Sequence, residues 1–189
     1  MEPLASDDED DLPLSVIKDS QKSHDLQKNE QKKHKKKLLK ILRANATKLI
    51  EVPEDGDCIF TAVSYFTQVS KTVIKEICYK HISQKIEHYQ PFTSNLTTDH
   101  IAKMNKHWNT EMGDVVLLAI ANITQSPIKV FSSKLLALDI RPTLSMAPAV
   151  HCNGNILLGH TAVPGREHYD VVGMYYRITL FEIQFDISK

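Results

Sequence analysis

Cys58 stands where two unlike stretches meet. Before it runs the acidic turn Val52-Pro53-Glu54-Asp55-Gly56-Asp57, marked by Pro53 and the Asp-Gly pair. After it, Ile59, Phe60, Ala62, Val63 and Phe66 recur at the spacing of a buried helix. Cys58 is therefore expected at a helix N-terminus, where exposed N–H groups and the positive end of the helix dipole favour a thiolate. The thiolate is the reactive form, so the placement suits a nucleophile. Backbone N–H groups of the same turn, shaped by Gly56 and Asp57, could also face a developing oxyanion.

A nucleophilic thiol needs a base, and the base needs an orienting group. Both candidates lie downstream, in Gly165-Arg166-Glu167-His168-Tyr169-Asp170-Val171-Val172. The β-branched run after His168 reads as a strand. Side chains alternate along a strand, so His168 and Asp170 share one face. Asp170 would hold the imidazole in one tautomer while His168 takes the thiol proton. Tyr169 points to the opposite face, where packing is its expected task.

Asp55-Gly56-Asp57-Cys58-Ile59-Phe60 resembles the catalytic-cysteine box of the ovarian-tumour (OTU) family of cysteine proteases, and His168-Tyr169-Asp170 its histidine box. Trp108-Asn109-Thr110-Glu111-Met112, followed by an apolar helix, is similar to the family's central Trp segment, with Asn109 where Gly is common. The likeness covers roughly residues 49–176. It implies a thiol-dependent deubiquitinase that hydrolyses isopeptide bonds between the C-terminus of ubiquitin, or of a ubiquitin-like tag, and lysine. It implies no cofactor, and ubiquitin or polyubiquitin chains as partners. The family commonly counts an aspartate at the position of Asp55 as catalytic. Locally, Asp55 could shape the turn through an Asx hydrogen bond or serve the oxyanion site. Trp108 could line a substrate channel or anchor the core.

Other chemistry is poorly supported. Cys58, His151, Cys152, His160 and His168 could be gathered into a zinc site, but the short paired spacing of structural zinc is missing. Cys78 falls on an apolar stripe and reads as a core thiol. Three cysteines without paired spacing do not make a disulfide framework. Reduced thiols and an N-terminus without a signal-like apolar core point inside the cell, to cytoplasm or nucleus. The longest apolar run, residues 115–121, is too short to span a membrane.

The elements that must position these residues follow from pattern. With 42% hydrophobic residues in 189, the chain can bury one core. Residues 1–29, with the block Asp7-Asp8-Glu9-Asp10-Asp11, are polar enough to predict a disordered acidic tail. Residues 30–46 carry a lysine run from Lys32 to Arg43 and read as a basic helix. That helix could draw nucleic acid or another anionic surface through residues 32–43. The plainer reading packs Leu38, Leu39, Ile41 and Leu42 on the domain. An OTU-like catalytic domain is expected over residues 47–177, with a C-terminal extension over 178–189. Inside the domain, residues 71–89 form one helical stripe, Val115–Ile123 a central apolar helix, and residues 128–131, 156–162 and 170–176 strands. The predicted class is α+β, a papain-type fold with a small, mainly antiparallel sheet flanked by helices.

Overall fold

The computed structural model describes residues 14–93, 96–104, 112–134, 137–164 and 166–174, with side chains from residue 26 onward except Met104. The first helix, α1 (Leu14–Ala44), contains no glycine or proline and leads into strand β1 (Thr47–Ile50). Its last carbonyls find side-chain partners: Asn45 Nδ2 donates to Ile41 O at 2.8 Å, and Thr47 Oγ1 to Leu42 O at 3.0 Å. Helices α2 (Cys58–Thr67), α3 (Lys71–Gln84), α4 (Ile86–Tyr89), α5 (Thr98–Met104) and α6 (Gly113–Thr124) follow. Strands β2 (Ile128–Ser132), β3 (Leu138–Ile140), β4 (Ile156–Thr161) and β5 (His168–Met174) complete the described chain.

The five strands form one sheet in the order β1-β5-β4-β2-β3. Three of its pairs are antiparallel, and β2 runs parallel to β4. The period-two alternation of the strands separates two apolar clusters. Ile50, Val130, Leu158 and Val171 join the main core built by α2, α3 and α6. Their neighbours Leu49, Phe131, Leu157 and Val172 meet Leu38, Ile41 and Leu42 of α1. The sheet is thus covered on both faces, with α1 as a layer of its own. The apolar helix α6 is buried on nearly every side, as its composition predicts.

Three details differ from the sequence-based expectation. Residues 14–29, expected in the disordered tail, are helical: no glycine or proline interrupts them, and they continue the basic helix towards the N-terminus. Residues 1–13, with the acidic block, lie outside the described residues. The stripe over residues 71–89 is broken at Lys85 (φ −127°), which caps α3 and opens α4. The proline-interrupted stretch after β2 contains strand β3 and a loop held by a buried side chain. Asn122 Oδ1 accepts from the N–H groups of Thr143 (2.7 Å) and Leu144 (3.0 Å), and its Nδ2 donates to Tyr89 Oη at 2.9 Å.

Gly159 shows how closely α1 and the sheet approach. A Cβ there would stand 2.6 Å from Leu49 Cδ1 and 3.3 Å from Leu38 Cδ2. Gly159→Val is therefore expected to destabilise the fold by about 1–3 kcal/mol through overpacking, read as a lower midpoint in urea unfolding. An unchanged midpoint would show that α1 yields freely.

Candidate active site

Cys58 is the first residue of α2 and is 5% exposed. The turn before it depends on Gly56, whose φ of +80° favours glycine, and on Asp55, whose Oδ1 accepts from the Asp57 N–H at 3.0 Å. This is an Asx turn. The other Asp55 oxygen is held by Lys71, a contact that keeps the carboxyl below its usual range, against a small opposing effect of burial. Of the two tasks the sequence left open for Asp55, shaping the turn is the one displayed.

His168 opens β5 and is 7% exposed; Asp170, two residues on, is 1% exposed. His168 Nε2 lies 3.0 Å from Asp170 Oδ1, as strand alternation predicts. The same oxygen accepts the Val52 N–H at 3.0 Å, so the entrance to the cysteine turn is tied to the carboxylate. With Nε2 committed to Asp170, Nδ1 is the nitrogen left for the thiol. Burial works against a charge on His168, but hydrogen bonding to Asp170 and to Cys58, and their negative charge, outweigh it and push its pKa up to about 10. The stability this adds is complete below the ordinary value of 6.5 and is lost as pH rises through 10. At neutral pH the imidazole is therefore a cation between a carboxylate and a sulfur.

Sequence reasoning missed what α1 contributes. Its Lys28, Gln31, Lys32 and Lys35 line a cavity of about 420 Å³ that also reaches His168 and Asp170. Gln31 Nε2 donates to Glu54 Oε1 at 2.8 Å, and Lys35 pairs with Glu51 at 2.8 Å, so the helix is fastened beside the cysteine turn. The basic helix carries no local signal for this, because the partners lie about 20 residues away. Trp108, the candidate channel residue, lies outside the described residues. Cys78 is fully buried, as its stripe predicts, and burial drives its thiol far up.

Behind His168, Tyr169 turns to the other face and stacks on His160, with ring centroids 4.6 Å apart and planes 6° from parallel. Burial first, then the charges of Lys134, His168 and His34, pull the His160 pKa down to about 4. Its neutral form is the one that suits the fold. The stability tied to it is present above 6.5 and lost as pH falls towards 4. His160→Phe keeps a ring on Tyr169 and removes the proton. The variant should flatten the fall in melting temperature between pH 6.5 and 4, where one proton is worth up to ~1.4 kcal/mol per pH unit. An acid limb identical to wild type would place that sensitivity elsewhere, His81 being another buried histidine with a lowered value.

A thiol starting a helix, an imidazole starting a strand and a buried carboxylate behind it form the layout of a cysteine protease. Residues 53–169 match the family model described as OTU-like cysteine protease, and the chain belongs to that family. A solved structure titled "Structure of OTUD1 OTU domain" superimposes with a TM-score of 0.55 at 18% identity, covering 73% of this chain and 93% of that one. The agreement is one of fold, the mixed arrangement of helices about a sheet. No significant match exists among curated protein sequences. No helix of the described residues is long and apolar enough to cross a membrane.

Proposed function

We propose that this chain is a thiol-dependent deubiquitinase acting on isopeptide bonds between the C-terminal glycine of ubiquitin and lysine. The observation that carries the reading is the buried Asp170–His168 hydrogen bond at 3.0 Å, set beside Cys58, whose thiol is among the groups that raise the His168 pKa. In the proposed cycle the attacking form is the Cys58 thiolate, paired with the His168 imidazolium. The sulfur attacks the carbonyl carbon, and the carbonyl π pair moves onto oxygen. N–H groups at the start of α2, Cys58's own among them, face that oxyanion; the Asp57 N–H is already taken by Asp55. As the tetrahedral adduct collapses, the C–N bond breaks and His168 gives its proton to the leaving lysine amine. Neutral His168 then takes a proton from water, which attacks the thioester and releases the ubiquitin carboxylate. Asp170 holds the imidazole throughout, and Asp55 shapes the loop. The cycle needs no cofactor, and three free thiols suit a reducing cytoplasm or nucleus.

A panel of linkage-defined diubiquitins, beside probes made from ubiquitin-like modifiers, tests the reading. Monoubiquitin released from at least one linkage is the expected outcome. Reaction with a ubiquitin-like probe and none with ubiquitin would keep the chemistry and change the modifier.

A further inference from the structure

Asp57 occupies the N-cap position of α2, where an aspartate ordinarily accepts from the second or third helical N–H. Its side chain makes no such bond, and its backbone (φ −110°, ψ 15°) is not extended like that of Ser70 (φ −60°, ψ 145°), which caps α3. Instead, Asp57 Oδ1 lies 2.7 Å from Lys75 Nζ, in a pair with side chains only 29% and 19% exposed. Two residues earlier, Asp55 is held by Lys71. Lys71 and Lys75 are four residues apart on α3 and share one face of it. Lys71 is the first residue of the helix, where its dipole disfavours a cation, and the first turn holds no acidic residue to offset it. The counter-charges come from the cysteine turn.

We propose that Lys75, assisted by Lys71, is a positioning residue: by holding the Asp57 carboxylate off the cap of α2, it leaves the first N–H groups of that helix open to the oxyanion formed at Cys58. The inference rests on Cys58 being the nucleophile. A carboxylate released onto the cap would occupy those same N–H groups. It would also set a negative charge beside both the thiolate and the developing oxyanion. Losing one oxyanion donor ordinarily costs about 10²–10³ in kcat, far more than losing a surface ion pair would explain.

The test uses the full chain carrying Lys75→Met, Lys75→Arg, and Lys75→Met combined with Asp57→Ala. On a fluorogenic ubiquitin substrate, Lys75→Met should lower kcat about 10–100-fold, with KM within about twofold and a melting temperature unchanged or raised by the gained cap. Lys75→Arg should retain most of the turnover, because it keeps the charge. Adding Asp57→Ala to Lys75→Met should restore most of what was lost, since no carboxylate is left to fall onto the helix. A role confined to holding the fold together predicts the reverse: losses that accumulate and a lower melting temperature. The alkylation rate of Cys58 by iodoacetamide, followed by peptide mass, should move in the same order and needs no ubiquitin. That order in alkylation without ubiquitin cleavage would remove the substrate reading and keep the positioning role. Cleavage by Lys75→Met at the wild-type rate, or a double variant no better than Lys75→Met, would overturn it.

Discussion

Replacing Cys58 with Ala is expected to reduce hydrolysis of a fluorogenic ubiquitin substrate to background, a loss of at least ~10⁴-fold. Neither other thiol can take its place: Cys78 is fully buried, and Cys152 lies in the loop before β4 with its thiol 3.3 Å from Gly154 O. The fold should survive. Removing one sulfur from a helix start leaves a small void, worth about 1 kcal/mol at most of the larger cavity costs seen in cores, and Ala is the best helix former. Circular dichroism should therefore match wild type while turnover disappears. The variant should also lower the His168 pKa, since one of the groups that raises it has gone. Residual cleavage near the wild-type rate would assign the chemistry to another residue.

The second large effect belongs to Asp170→Asn. The carboxylate meets His168 Nε2 and the Val52 N–H through one oxygen, each at 3.0 Å. An amide of the same shape can still accept from Val52, but it carries no charge to stabilise the imidazolium. It can also present its NH₂ to the ring and favour the wrong tautomer. Turnover should fall about 10²–10⁴-fold, with the smaller change in KM. The pH profile supplies the sign. His168 holds its proton up to about 10 in the wild type. Without the Asp170 charge that limit moves down, so the alkaline fall in kcat/KM should begin at lower pH. An unshifted profile with undiminished kcat would leave the orientation of His168 to some other group.

Much of the site was legible because its determinants are local. The junction of acidic turn and apolar helix places Cys58 at a helix start, and it is the first residue of α2. Period-two alternation puts His168 and Asp170 on one face, and they are hydrogen-bonded. The unread parts are those where partners are distant or polar. Lys71 and Lys75 meet Asp55 and Asp57 across 16 and 18 residues, and only a lysine standing oddly at the start of a helix hints at it. The Val52 N–H reaches Asp170 across 118 residues. Leu38, Ile41 and Leu42 hold α1 to the sheet, but the Gln31–Glu54 and Lys35–Glu51 contacts that carry its N-terminal part past His168 leave no periodic trace. Strand β3 hides in a proline-interrupted stretch because its order comes from pairing with β2, and that of the loop after it from Asn122, not from their own residues.

The most direct measurement is to trap the protein with ubiquitin bearing a C-terminal alkyne electrophile and locate the adduct by peptide mass. A single thioether on Cys58 is expected, formed in the wild type and nearly lost in His168→Ala. No adduct, or one formed on Cys152 with Cys58 left free, would contradict the assignment of Cys58 as nucleophile.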